Sequence, residues 1–398
     1  MYSSFDAFKP HFNALARVGY FKTVFKSSSK IKQTLNMFYR TVVWFLVILY
    51  NFQHVLRVVR HSTEEIVNTL FILLTTLNTL GKQVAFNVRT ARIDRIINTI
   101  NGSLFASCNE YHDDIMKRNA AAMRRLLRSY HCAIFLCAIM WTIYPVVNRI
   151  LGEDVHFSGY FPYDTSQPPV FALTVAYMSI LITLQAYGNV TMDCTIVAFY
   201  AQAKTQLQML RYDLKHLADA EDGTNNARKL IKRTYKHVES TRCGQLLHNR
   251  FVKCIKHHQL ILWFVKEIES IFGEAMVVQF FVMAWVICMT VYKIVGLAVL
   301  SAEFCSMAIY LGCMLAQLFI YCYYGTQLKY ESECINQSIY ECEWMSLSPA
   351  MRRQLLVLMV RSSRPLAPCI AYIVPMSIET YISILKSSYT LFTFLDRK

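Results

Sequence analysis

Ser387, Thr390, Phe394 and Arg397 recur near the end of the chain at three- to four-residue spacing, so on a helix they share one face. Two hydroxyls on one face can contact a hydrated cation. A phenylalanine further along that face can close an apolar constriction that gates by dewetting, or can simply pack against a neighbouring helix. Arg397 is odd beside a cation; it suits pairing with Asp396 or with lipid headgroups. Little else in the chain offers chemistry. None of the 13 cysteines forms a CxxC pair with a second such pair at zinc spacing. His257 and His258 have no partner ligands at metal spacing and read as surface residues of a helix. No His, Cys or carboxylate cluster falls at membrane depth, so an enzyme, a metal and a cofactor are not expected.

The composition says what must position that face. The 398 residues are 55% hydrophobic and only 17% charged, whereas a soluble domain carries about 25% charge. Twelve Gly and nine Pro favour long helices over many short strands. Apolar runs near 20 residues are enough to cross a ~30 Å hydrocarbon core. The expected class is an all-α integral membrane protein, not a large soluble helical one. The net charge of +15 sits mostly in the loops between apolar runs. That suits cytoplasmic loops and anionic membrane lipid, and no basic-aromatic platform suggests nucleic acid. Cys132, Cys137, Cys288, Cys305 and Cys313 lie within apolar runs, where cysteine behaves as a small hydrophobe, so no disulfide framework is expected.

Seven transmembrane spans are predicted: 38–59, 66–86, 129–150, 170–200, 271–292, 295–324, and a broken seventh at 352–361 and 371–395. Asn51, Gln53 and His54 interrupt the first span, and Asn78, Lys82 and Gln83 the second, which implies protein or water on one face. Asp193 and Glu303 are charges within spans and hence functional candidates, although snorkelling at the inner boundary accounts for Asp193. The 2–3 and 4–5 loops are rich in Lys and Arg, whereas the 3–4 loop carries Glu153, Asp154 and Asp164. The positive-inside rule then places the N-terminus in the cytoplasm and the C-terminus outside. This is opposite to a G-protein-coupled receptor. No Asp-Arg-Tyr follows helix 3 and no Asn-Pro-x-x-Tyr lies in helix 7, so no G protein is expected as a partner.

Residues 1–37 lack the apolar core of a signal peptide and form a basic cytoplasmic arm, in which Phe5, Phe8, Phe12, Leu15 and Val18 suit either an interfacial helix or a partly ordered tail. Leu207, Leu210, Leu214 and Leu217, and again Leu260, Ile261, Phe264, Val265 and Ile268, recur at helical spacing. Helices 4 and 5 should therefore extend into the cytoplasm, and helices 4 to 7 are expected to end there together. One seven-helix domain results: the arm 1–37, helices 1–4 over 38–200, a cytoplasmic helical segment 201–270, helices 5–6 and an anchor region 271–351, and the broken helix 352–398.

The C-terminal segment is the most specific part of the chain. Tyr340 and Trp344, the pair Arg352-Arg353, Pro365, Pro368, Pro375, Tyr381 and the final Ser388-Tyr389-Thr390-x-Phe392 together resemble the insect odorant receptor family. Phe161-Pro162-Tyr163-Asp164 before Pro168-Pro169, and the 256–269 stretch KHHQLILWFVKEIE, also resemble it. The chain departs from the family mildly, with Thr390 where Ser is commoner and Tyr381 where Phe is. Thr380-Tyr381 matches half of a gustatory-receptor motif, but Ser387-Ser388 occupy its Gln-Phe places. The 4–5 loop lacks the co-receptor's insertion, so the chain looks like a ligand-tuning subunit.

The resemblance implies a tetrameric, odorant-gated, non-selective cation channel of the sensory dendrite's plasma membrane, formed as a heterotetramer with the co-receptor. It implies that the last helix lines the pore, with Ser387, Thr390, Phe394 and Arg397 as candidates. It places a small volatile organic ligand in the outer half of each subunit's bundle. The candidates there are Phe71, Leu74, Thr75 and Asn78 on helix 2, and Cys137, Met140, Trp141 and Tyr144 on helix 3. Helix 4 adds Tyr177, Ile180 and Leu181, and helix 6 adds Met307 and Tyr310. For assembly, Tyr340, Glu341, Glu343 and Trp344 are candidates to face the basic 4–5 segment, within or between subunits. A gustatory-type channel is the nearest alternative. A polytopic transporter fits less well, because only helix 7 is broken and no internal repeat is evident.

Overall fold

The computed structural model describes residues 4–22, 30–60, 63–152, 157, 159–165, 167–218, 238–295, 302–344, 347–370 and 374–396. Ten α-helices occupy most of them: α1 (Lys9–Arg17), α2 (Lys30–Arg60), α3 (Thr63–Val88), α4 (Thr90–Ile100), α5 (Glu110–Ile150), α6 (Pro168–Lys215), α7 (Val238–Val295), α8 (Ala302–Tyr340), α9 (Pro349–Ser362) and α10 (Ile378–Asp396). The predicted spans 1 to 6 correspond to α2, α3, α5, α6, α7 and α8. Among the described residues, five of these, all but α3, are long and apolar enough to cross a membrane. At 1.5 Å per residue, the 48 residues of α6 span about 72 Å and the 58 of α7 about 87 Å, far beyond a ~30 Å hydrocarbon core. Both helices therefore continue past any bilayer at the end of the bundle opposite the 151–167 connection, here termed the far end. The break predicted at 219–226 lies outside the described residues.

Helix starts follow from the local sequence. Asn109 caps α5 by accepting the His112 N–H at 2.8 Å. Pro168 and Pro169 open α6, where a missing N–H costs nothing. Ser348 caps α9, with Pro349 at its first position. α6 is the central helix: every side chain from Thr191 to Ala203 is buried, so α6 is surrounded there by other helices. By contrast, α5 exposes Phe135, Leu136, Ile139 and Ile143, and α2 exposes Phe38, Phe45, Ile48 and Phe52. Apolar stripes of this size on the outer helices are lipid-facing surfaces.

Two sequence expectations need correction. The N-terminal aromatic residues form neither an interfacial helix nor a loose tail. Phe5, Phe8, Phe12, Leu15 and Val18 are buried in the main core, and the Phe8 ring stacks on Phe199 of α6 at 5.0 Å. Burial stabilises by roughly 1.5–3 kcal/mol per large apolar side chain, which is what docks so short a helix. Gly19, at a φ of 74°, turns the chain directly after α1. The break in helix 7 is also wider than predicted. α9 ends at Ser362, and a two-residue antiparallel pairing of Cys369-Ile370 with Val374-Pro375 precedes α10. Cys369 N donates to Glu269 Oε1 of α7 at 2.8 Å and Leu366 N to Ser332 Oγ of α8 at 2.9 Å, so neighbouring helices satisfy these two backbone N–H groups.

Candidate ligand cluster and pore helix

Tyr310, Cys313, Gln317 and Tyr321 recur at steps of three and four residues and so define one face of α8. The Tyr310 ring lies 6.4 Å from Trp141 of α5, and its hydroxyl interacts with Thr75 of α3. One turn along, the Cys313 thiol meets that of Cys137 of α5. Three helices thus bring an indole, a phenol, a hydroxyl and two thiols together. Large aromatic area with a few polar tips is the character of a small-molecule site. Leu74, Met140, Tyr144 and Met307 lie within one turn of these residues and are partly buried. Phe71 precedes Thr75 by one turn on α3, and its side chain lies outside the described residues. Leu181 is buried in α6.

Three predicted candidates point elsewhere. The Tyr177 hydroxyl donates to Gln53 Oε1 of α2 at 3.0 Å. Ile180 is 64% exposed and lines a cleft of about 540 Å³ with Arg17, Tyr39 and Phe135. Asn78 is buried, but it lines a cleft of about 280 Å³ with Glu274 and Val278 of α7. Helix direction alone does not fix which way a residue faces: α6 turns Tyr177 and Ile180 towards α1 and α2, and α3 turns Asn78 towards α7.

The described part of the 151–167 connection packs its aromatic residues on α6 and α2. Phe161 meets Tyr177 edge-on at 6.3 Å, and Phe157 packs on Phe171 at 5.6 Å. Tyr160 ties the connection to α2: its N–H donates to the Gln53 carbonyl at 3.1 Å, and Arg60 lies 4.7 Å above its ring.

Below the cluster, the same α8 face enters a buried polar network. Lys82 Nζ of α3 lies 2.6 Å from Asp193 Oδ1 of α6, with side-chain exposures of 0% and 5%. Tyr321 donates to Asp193 Oδ1 at 2.7 Å, and Gln317 donates to Oδ2. Asp193 therefore does not snorkel: it is held inside the protein by an opposite charge. Two oppositely charged residues in separate spans were the available signal, because charges at membrane depth pair with one another.

α10 packs against α7 and α8 on one side. Its Ser388 is buried and donates to the Ala284 carbonyl at 3.4 Å. Ser387 and Thr390 lie on the exposed side, as does Lys386 at the same level. The side chain of Phe394, within α10, and all of Arg397 fall outside the described residues. The start of α10 is fastened to α8. Ile378 N donates to Thr326 Oγ1 at 3.0 Å, Tyr381 meets Phe319 at 5.6 Å, and a Cβ on Gly325 would lie 2.1 Å from the Met376 carbonyl oxygen. One helix, α8, thus touches the cluster, the ion pair and the start of α10.

Among the assembly candidates, Tyr340 is 75% exposed and Glu343 is exposed. Trp344 instead donates its Nε1–H to the Ile339 carbonyl at 2.9 Å. Glu341 pairs with Lys215 at 2.9 Å and Glu331 with Arg211, so part of the expected charge complementarity lies within one chain. Leu356, Val357 and Val360 form an exposed apolar stripe on α9. His257 and His258 are buried, not on the surface. His257 Nε2 sits 2.8 Å from Gln206 Oε1, and burial lowers its pKa to about 4.

The whole fold has solved counterparts. The insect olfactory receptor OR5 from Machilis hrabei, in a structure described as a complex with eugenol, superposes with a TM-score of 0.82 at 14% identity, over 98% of this chain and 97% of that one. Among sequences, Odorant receptor 46a, isoform A, of Drosophila melanogaster is 22% identical over 90% of both chains. Odorant receptor Or1 of Anopheles gambiae is 21% identical over 84% of this chain and 81% of its own length. The 7tm Odorant receptor family model matches residues 62–389. The chain is therefore a multi-pass membrane protein that belongs to the insect odorant receptor family.

Proposed function

We propose that this chain is the odorant-tuning subunit of a ligand-gated, non-selective cation channel, working with a co-receptor subunit in the plasma membrane of a sensory dendrite. The observation that carries this reading is the convergence of Thr75 and of Cys137 and Trp141 on Tyr310 and Cys313 of α8, the helix that also holds the start of α10. A volatile of modest size would stack on Trp141 and Tyr310 and take its polar contact from Thr75 or Tyr310. The eugenol described with the Machilis hrabei receptor is a ligand of that class.

Opening would proceed through α8. A ligand that separates Tyr310 from Trp141 moves the face that carries Gln317 and Tyr321, and with it the Thr326–Ile378 attachment of α10. Ser387 and Thr390 would then face a central pore shared by four subunits, with Phe394 at its constriction and Arg397 at its mouth. The exposed Val357 and Val360 of α9, with Tyr340 and Glu343, would supply assembly contacts on the cytoplasmic side. The N-terminus would lie inside and the C-terminus outside, as the loop charges require.

The test is whole-cell recording during application of a panel of volatiles, in cells expressing this chain with and without an insect co-receptor. A ligand-evoked cation current that needs both chains supports the proposal. A current evoked by soluble tastants in this chain alone replaces it with the gustatory reading.

A further inference from the structure

A second cluster lies at the far end, remote from the ligand cluster and the pore helix, in a cleft lined by Cys108, His112, Asp213, Lys253, Cys254 and His257. Cys108 is exposed and directly precedes the cap residue of α5, so its sulfur sits at the positive end of a 41-residue helix. Lys253 of α7 places its ammonium 3.1 Å from the Cys108 sulfur. The His112 ring lies beside the thiol, and its Nδ1 accepts the Cys108 backbone N–H at 3.4 Å. Behind it, Asp213 Oδ1 of α6 is 3.2 Å from His112 Nε2 and orients the ring. Three elements thus aim a cation, an imidazole and a helix end at one accessible sulfur.

We propose that Cys108 is a reactive thiolate, a modification site for peroxides and soft electrophiles. The surroundings are those that activate cysteine. His112 and then Lys253 hold the thiol below its ordinary pKa, against burial and the Asp213 charge. The same cleft contains its own contrast. Cys254 is buried, and burial pushes its thiol up to about 12. The buried His257 is held neutral and adds no charge.

With a hydroperoxide, the thiolate sulfur attacks the terminal peroxide oxygen and the O–O bond breaks. The departing alkoxide takes a proton from solvent, leaving a sulfenic acid at Cys108. Sulfur is oxidised by two electrons and the peroxide is reduced by two. The product carries no charge to face Lys253, so oxidation would weaken the seam that joins α5 to α7.

The test uses the full-length chain in detergent, with iodoacetamide as probe and peptide mass spectrometry as readout. Alkylation of Cys108 should rise with pH to a midpoint clearly below the ~8.5 of a free thiol, and Cys254 should stay unmodified over the same interval. Lys253→Ala should move the midpoint up, and Lys253→Arg should restore it. A cyclic 1,3-diketone added after hydrogen peroxide should trap the sulfenic acid at Cys108. A midpoint at or above that of a free thiol, or one that Lys253→Ala leaves in place, would overturn the proposal.

Discussion

Lys82 of α3 and Asp193 of α6 form an ion pair, 2.6 Å apart, buried inside the helix bundle, with Gln317 and Tyr321 of α8 as further partners of the carboxylate. Such a pair is held by geometry: each charge is tolerable there only because the other, with its hydrogen bonds, is in place.

Removing one partner should therefore be far worse than removing both. Lys82→Ala or Asp193→Ala strands a buried charge and is expected to cost about 3–5 kcal/mol. The double variant Lys82→Met, Asp193→Leu should recover most of that loss. Thermal unfolding of the purified protein in detergent reads the difference, and additive losses would show that the two residues are independent.

The junction between α8 and α10 should not accept a single added carbon. A Cβ on Gly325 would lie 2.1 Å from the Met376 carbonyl oxygen, so backbone must move. Overpacking of this kind costs about 1–3 kcal/mol or more. Gly325→Ala is expected to lower the unfolding temperature, while Gly312→Ala, where nothing lies within 4 Å, serves as the tolerated control.

The His112–Asp213 pair makes stability depend on pH. Burial alone would lower the His112 pKa, but hydrogen bonds to Asp213 and Cys108 outweigh it and raise it from 6.5 to about 9. A raised histidine pKa stabilises the fold fully below about 6.5. That contribution is lost as pH rises through about 9. Wild type should thus lose stability relative to His112→Gln between pH 6.5 and 9, and parallel unfolding curves across that window would refute the linkage.

Ser387 and Thr390 should be reachable from water in the assembled channel. Cysteine at either position, co-expressed with a co-receptor, is expected to react with a charged, membrane-impermeant thiosulfonate and reduce the current by more than half. Ser388→Cys should be protected, because Ser388 is buried against α7. Equal modification at all three positions would remove α10 from the pore.

Much of this was legible in the residues, for definable reasons. Long apolar runs separated by basic loops gave the membrane class, and the Leu207–Leu217 and Leu260–Ile268 periodicities anticipated the extensions of α6 and α7 beyond a bilayer. Periodicity gives a face but not its neighbour. Hence Trp141, Cys137, Thr75 and Tyr310 meet, whereas Tyr177 faces Gln53 and Asn78 lines the α7 cleft. Cys313 and the Lys82–Asp193 pair were missed because each is defined by a partner more than 100 residues away in the chain. His257 and His258 were misplaced on the surface because local sequence does not show that the far end packs around them.

The central claim is that a volatile binds at the α3–α5–α8 cluster and opens the pore from there. Concentration–response curves for one activating volatile, recorded from wild type and Trp141→Ala at matched surface expression, test it most directly. Loss of the indole is expected to shift the half-maximal concentration at least tenfold, about 1.4 kcal/mol of binding, with the maximal current retained. An unchanged half-maximal concentration would contradict the account and move the ligand away from Trp141 and Tyr310.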